Sequence, residues 1–423
     1  MSTLLRGGTV VDLEPALVER ADLRIDGDKI VDRATALEAR PDDEVIELGG
    51  RIVFPGFVSA WHRRSGVFLQ GAPRDGKGFA AEQAARHRLE DAMGPDELES
   101  GAAASALEAL VNGTTTLFDV SASGGTVPGS LSRVAAGLNR LGVRAIIGRL
   151  VSERGGAVSR EENLEESAAF IGKARGRVRG AIAVESLAGL SDDGLAALRQ
   201  TQSRTRAMLL ASVSEDPQEE KLSRDRHGAV VSERLLQHEL TGTRVVLAHG
   251  VHLSWPELSS LIANGTWLGH AARSNMATQT GHATAAKFGV HACLATDLAS
   301  PDLFAEVQCA SLRSTESGLG IDPLRFLANG QRLATEAFGV PVGPLQPGAM
   351  ADLVVLDYQP VTPFETATLS AHVLWGLSSR FVESVMVDGL WRVWKRKVLS
   401  VDVGEVMRVA RESASALWKK MQA

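Results

Sequence analysis

From Val53 to Arg63 the sequence reads Val-Phe-Pro-Gly-Phe-Val-Ser-Ala-Trp-His-Arg, and its last three residues set different chemistries side by side. The imidazole of His62 can carry a proton or ligate a metal. The indole of Trp61 offers a donor N–H and no acceptor lone pair, and the guanidinium of Arg63 is a permanent cation, so neither can be a metal ligand. Side chains alternate along a strand, which gives Trp61 and Arg63 one face and leaves His62 on the other. On that count His62 reads as a structural histidine, although a bulge would re-aim it. Cysteine adds nothing to a metal centre: Cys293 and Cys309 are the only two and read as buried thiols.

The elements that must position these residues come in two kinds. From Thr3 to Phe54 the pattern is short β runs punctuated by Gly-Gly and Asp-Gly, as in Leu23-Arg24-Ile25, Lys29-Ile30-Val31 and Val45-Ile46-Glu47-Leu48. Pro55-Gly56 closes the last of them and a new apolar run starts at once. Strands then alternate with helices. The helix after Gly94 opens with Pro95, Asp96 and Glu97, repeats apolar residues at Leu98, Ala102, Ala106 and Leu110, and stops at Asn112-Gly113. Thr114 to Val120 follows as a buried strand. Further strands are expected at 143–151, 178–184, 206–213, 243–248, 266–269 and 290–296, with capping signals at Ser254-Trp255-Pro256-Glu257 and Ser300-Pro301-Asp302 between them.

Eight strands with crossovers over roughly 290 residues predict a parallel (β/α)8 barrel. Short strands return after Pro344, with a hairpin around Asp388-Gly389. They cannot bury themselves alone, so they are expected to complete the N-terminal sheet. The fold class is therefore α/β: a TIM-like barrel over 56–343, a small discontinuous β-sandwich domain from 1–55 and 344–400, and an amphipathic helix over 401–423 with Trp418 and Met421 on its packing face.

Composition sets the limits. The chain has 423 residues, 44% apolar and 23% charged, with net charge −6, enough to bury a large core. Mild acidity without a basic stripe argues against nucleic acid as a partner. No apolar run reaches the roughly 18 to 20 residues of a membrane span, and the acids of the first 30 residues are unlike a cleavable signal peptide. A cytoplasmic protein is expected. The acids from Glu161 to Glu166 and the run Arg175-Gly176-Arg177 read as solvated faces, and His252, His291 and His372 as structural.

Along nearly its whole length the chain resembles the amidohydrolase superfamily. The residues that carry the likeness are Pro55-Gly56-Phe57-Val58, Leu247-Ala248-His249-Gly250, Arg273-Ser274-Asn275-Met276, Ala295-Thr296-Asp297, Gly348-Ala349-Met350-Ala351-Asp352-Leu353 and Val385-Met386-Val387-Asp388-Gly389. Within that superfamily it resembles the chlorohydrolase, guanine-deaminase and cytosine-deaminase branch, and most of all the SsnA-type aminohydrolases. The resemblance implies one metal ion at the C-terminal mouth of the barrel, held by two histidines after strand one, one after strand five and an aspartate after strand eight. It also implies a proton-shuttling glutamate and an orienting histidine.

Carried onto this sequence, the strand-one ligand positions hold Trp61 and Arg63, and the strand-five position holds Ser212. Only Asp297 stands at its expected ligand place. Glu215 and His249 keep the shuttle and orienting places, Glu185 replaces a strand-four histidine, and His270, Asn275 and His282 lie where relatives shape the substrate pocket. With so few donors left, no metal is expected, and zinc or iron enters only if the site is rebuilt. The expectation is that the Arg63 guanidinium stands where the metal stood and pairs with Asp297, with Glu185 or Glu215 as further partners. Three readings stay open. One is a degenerate, catalytically impaired amidohydrolase, binding a small molecule or serving as a partner subunit. Another is a still-active aminohydrolase of a purine, pyrimidine or related cyclic amidine, with or without a metal. The third is a scaffold whose mouth Trp61 fills. The resemblance further implies a homodimer.

Overall fold

The computed structural model describes residues 2–124 and 127–422. Eight parallel strands form the barrel: Phe57–His62, Thr114–Ser121, Arg144–Val151, Val178–Val184, Leu209–Val213, Val245–His249, Trp267–His270 and Ala292–Leu294. The first and last meet through the backbone just beyond strand eight. Thr296 and Asp297 donate their N–H groups to the Trp61 carbonyl at 2.9 and 3.0 Å, and Arg63 donates to the Asp297 carbonyl at 2.9 Å. The seam of the barrel therefore runs through the three residues that matter most to the chemistry.

Several strands are shorter than their apolar runs. The last spans three residues because a 3-10 turn at Gly289–His291 precedes it and Asp297, with φ +46°, leaves extended geometry after it. Helices cover the outside. The one predicted after Gly94 spans Pro95–Val111, and the Ser254 capping box opens Trp255–Ala263. A helix that the sequence reading did not predict, Phe79–Ala92, lies between strands one and two. Its buried face includes Arg86 and Glu90 alongside Ala85 and Leu89, so it lacks the apolar stripe that announces a helix.

Both chain ends build the second layer. Ser2–Leu13 pairs antiparallel with Ala16–Asp26 and parallel with Asp43–Glu47 and Ile52–Pro55. Leu353–Leu356 adds to Ile52–Pro55, and the Asp388-Gly389 hairpin joins Val382–Val387 to Leu390–Trp394. Hydrogen bonds run through nine strands without a break, while Leu5, Leu23, Ile25, Val53, Val355 and Met386 share one core between the two halves of the sheet. The terminal helix Val403–Gln422 packs on the barrel side, where Trp418 donates to the Phe68 carbonyl at 2.7 Å.

Candidate active site

Trp61 and Arg63 follow strand alternation into the barrel mouth, and His62 points the other way. Its Nε2 meets Ser105 Oγ of the Pro95–Val111 helix at 2.8 Å and its Nδ1 meets Thr296 Oγ1 at 3.0 Å. Burial lowers its pKa. Both ring nitrogens are spent on structure, in line with the alternation argument.

At the centre is Asp297, fully buried. Its Oδ1 accepts the indole N–H of Trp61 at 3.0 Å and lies 3.2 Å from Arg63 Nε, and its Oδ2 accepts Ser274 Oγ at 2.6 Å. The Arg63 guanidinium carbon sits 5.3 Å from the centroid of the Trp61 ring, a cation–π contact. Burial alone would raise the Asp297 carboxyl; the charges of His249 and Arg63 and the Ser274 hydrogen bond outweigh it and hold the group well below the usual carboxylate range.

His249 ends strand six and takes φ +74°, a left-handed conformation costly for a residue with a Cβ and typical of functional positions. Its Nδ1 is 2.8 Å from Asn275 Oδ1, which can only accept, so Nδ1 carries the proton. That leaves Nε2 aimed at Glu215 Oε2 at 3.6 Å and Asp297 Oδ1 at 4.0 Å. Glu215 lies just beyond strand five, where it accepts Ser212 Oγ at 3.3 Å, and its own N–H donates to Glu219 Oε2 at 3.1 Å. Burial pushes the Glu219 carboxyl up to about 7, with Glu215 adding to the push.

Glu185 stands apart from this group. It accepts His87 Nε2 at 2.5 Å and lies 3.6 Å from both Arg86 and Arg154. Burial opposes ionisation there, but the His87 bond and the Arg86 charge keep the carboxyl well below its usual range. His270 ends strand seven, 6.3 Å from the His282 ring and 6.0 Å from Phe288, and burial pushes its pKa down to about 3. The structure thus gathers Trp61, Arg63, Ser212, Glu215, His249, Asn275 and Asp297, and sets Glu185 and His270 on the surrounding wall.

One expectation needs correction. The second carboxylate beside Arg63 is neither Glu185 nor Glu215 but Glu90, 3.9 Å from Nη1. It comes from the unpredicted Phe79–Ala92 helix, which also brings Arg86 and His87 to the mouth. Ser274 likewise had a visible place, inside the Arg273-Ser274-Asn275 motif, and no assigned role. A hydroxyl immediately before the family's asparagine was the available signal.

The donor set can be tested against a metal. Glu215, His249 and Asp297 place one ligand atom each within 4.8 Å of one another. Yet both Asp297 oxygens already accept hydrogen bonds, and a guanidinium lies 3.2 Å from the oxygen that faces His249. A dication there would meet a fixed cation and compete with the Trp61 N–H and the Ser274 O–H. These residues do not fit a metal ion in this arrangement.

Residues 52–392 match the sequence model described as "Amidohydrolase family". Among curated proteins the chain is 23% identical over 411 residues to a 5-methylthioadenosine/S-adenosylhomocysteine deaminase of Desulfitobacterium hafniense, covering 94% of each chain. It is 26% identical over 423 residues to a 5'-deoxyadenosine deaminase of Methanobrevibacter smithii, again covering 94% of each. Among solved structures it resembles an adenosine deaminase from Xanthomonas campestris with bound zinc, with TM-score 0.87, 20% identity and 98% of each chain covered. It also resembles a zinc complex of atrazine chlorohydrolase from Arthrobacter aurescens TC1, with TM-score 0.84 and 21% identity, covering 97% of this chain and all of that one. At these identities the structural likenesses speak for the fold.

Proposed function

The chain belongs to the amidohydrolase family, and on that premise we propose that it takes a nucleoside-like cyclic amidine at its barrel mouth and hydrolyses an exocyclic carbon–nitrogen bond without a zinc ion on Asp297. The substrate class rests on full-length relatives named as deaminases. The metal-free part rests on one observation, the closed shell of Trp61, Arg63 and Ser274 around Asp297.

In this reading Glu215 is the acid–base group. It removes a proton from water as the oxygen attacks the amidine carbon and returns that proton to the ring nitrogen. The tetrahedral centre then collapses as Glu215 moves the remaining hydroxyl proton to the amino group, which leaves as ammonia and gives the carbonyl product. His249, fixed by Asn275, orients the water through Nε2. Arg63 neutralises Asp297, so the mouth is not left with an isolated buried carboxylate. Nothing in this set lowers the pKa of water from about 15.7 toward the neutral value a bound metal supplies, so turnover should be slow.

A second reading, ligand binding without turnover, is favoured by one feature: Trp61, His249 and Asp297 are all fully buried. Two measurements on purified protein separate these readings. They are elemental analysis after growth with zinc, iron and manganese, and ammonia release from adenosine and 5'-deoxyadenosine with and without chelator. Chelator-insensitive ammonia release supports the proposal. About one equivalent of metal per chain overturns its metal-free part, and neither metal nor ammonia leaves the binding reading.

A further inference from the structure

Buried guanidiniums in this protein are normally well bonded. Arg144 forks onto Asp352, Arg234 donates to Asp192 and the carbonyls of Leu187 and Leu190, and Arg64 donates to Asp119. Arg63 and Arg86 differ. Both are nearly inaccessible, at 1% and 3% exposure, and among the described residues neither guanidinium donates a hydrogen bond, with Arg63 Nε and Nη1 and Arg86 Nε fully buried and unpartnered. Their nearest carboxylate oxygens lie at 3.2 Å on Asp297, out of line for a bond, 3.9 Å on Glu90 and 3.6 Å on Glu185.

Apart from Glu90 Oε2, which has no partner among the described residues, the acids beside these cations find their hydrogen bonds elsewhere. Asp297 is served by Trp61 and Ser274, Glu185 by His87 and Glu90 Oε1 by Ser65. Leaving buried charged donors unbonded is expensive, and a guanidinium has five N–H groups to satisfy. Asn275 Nδ2 is a further buried donor without a partner in the same mouth. The unmet demand is for acceptor oxygens, several of them, between one arginine at the end of barrel strand one and another on the Phe79–Ala92 helix.

We propose that Arg63 and Arg86 form an oxyanion subsite of the barrel mouth, so that the small molecule taken there carries a carboxylate or phosphate group. The inference rests on the metal-free reading above, since a cation on Asp297 would displace Arg63. It deepens that reading by separating this chain's ligand from a plain nucleoside. Glu90 Oε2, an unpartnered acceptor beside Arg63, offers a place for an N–H of the same ligand. A ligand bridging the two arginines ties the helix to the barrel.

The test is calorimetric titration of the zinc-free full chain with benzoate, with inorganic phosphate and with benzamide as the uncharged control. One of the two anions should bind saturably at one per chain, at least tenfold more tightly than benzamide, and the better of them names the head group. R63Q and R86Q should each weaken it tenfold or more, with R86K in between, and amide exchange in Phe79–Ala92 should slow on binding. If the glutamine variants fail to fold, R86K alone decides. The proposal is overturned if neither anion binds saturably, if benzamide binds equally well, or if R86K binds like the parent. Zinc found by elemental analysis would instead overturn the metal-free reading, whatever the anions do.

Discussion

The barrel buries an arginine against aspartates at both ends, and the two ends differ. At the base, where strand three begins, Arg144 forks onto Asp352 with contacts of 2.7 and 3.1 Å and also bonds Asp388, while the Asp388 N–H donates back to Asp352 at 2.8 Å. Phe338 stacks on the guanidinium with a 5.0 Å carbon-to-centroid distance. At the mouth the Arg63 guanidinium is as deeply buried, yet it reaches the Asp297 carboxylate only through a poorly aligned 3.2 Å contact and leaves Nη1 without a partner among the described residues. Burial is common to both, so hydrogen-bond satisfaction is what separates an arginine that joins two layers from one that waits for a ligand.

Replacing Arg144 should therefore be the most damaging change. Arg144→Leu takes the forked cation from buried Asp352 at the junction of barrel and sheet, while Arg177 still serves Asp388, and a loss of about 3–5 kcal/mol is expected, as for breaking any buried pair from one side. Urea unfolding measures it. Arg63→Leu should cost less, about 1–3 kcal/mol, because Trp61 and Ser274 still serve Asp297. Equal losses at the two ends would break the comparison and make Arg63 a plain structural counter-ion.

The mouth can also be returned to the family pattern. The triple change Trp61→His, Arg63→His and Ser212→His restores the donors that the resemblance implies beside Asp297. Elemental analysis should then find about one zinc per chain, against none in the parent protein on the metal-free reading. A triple variant that folds and stays metal-free would mean that Asp297 is not at the ligand place.

A smaller effect comes from the mouth's neutral wall. Burial lowers His270 to about 3, so the folded form resists its protonation. Below the ordinary histidine value near 6.5 the unfolded chain binds a proton that the folded chain does not. Stability contributed by neutral His270 is thus full above that value and is lost as pH falls toward 3. Between pH 6.5 and 5 the loss should be on the order of 1–2 kcal/mol. His270→Asn should flatten that part of the profile in urea midpoints taken at pH 7 and 5. An unchanged slope would place the acid sensitivity elsewhere.

How much of this was legible in the sequence follows from the physics of each part. The barrel showed in its alternation of apolar runs and capped helices, and the composite sheet in strands that could not bury themselves. Trp61, Arg63, Glu215, His249 and Asp297 showed because they sit at strand ends, where motif positions carry over. The Phe79–Ala92 helix did not, because its inward face includes Arg86 and Glu90 and so breaks the apolar period. Its contribution depends on a tertiary contact between residues far apart in the chain. The loosely paired state of Arg63 was equally invisible, since a sequence gives residue types and not alignment of donors.

The least change expected is at the rim, and it sharpens the contrast between bonded and unbonded cations. Arg154 lies 3.6 Å from Glu185 with its side chain 45% exposed. Glu185 is already held by His87 at 2.5 Å and flanked by Arg86. An exposed ion pair is screened by salt and worth about 0–1 kcal/mol, so Arg154→Ala should move the urea midpoint little and still less in added salt. His87→Ala should do more, because among the described residues it removes the one well-made hydrogen bond on a nearly buried carboxylate. If Arg154→Ala proved the costlier of the two, Glu185 would be held from the rim, and Arg86 would be freer to turn toward a ligand than its present distance implies.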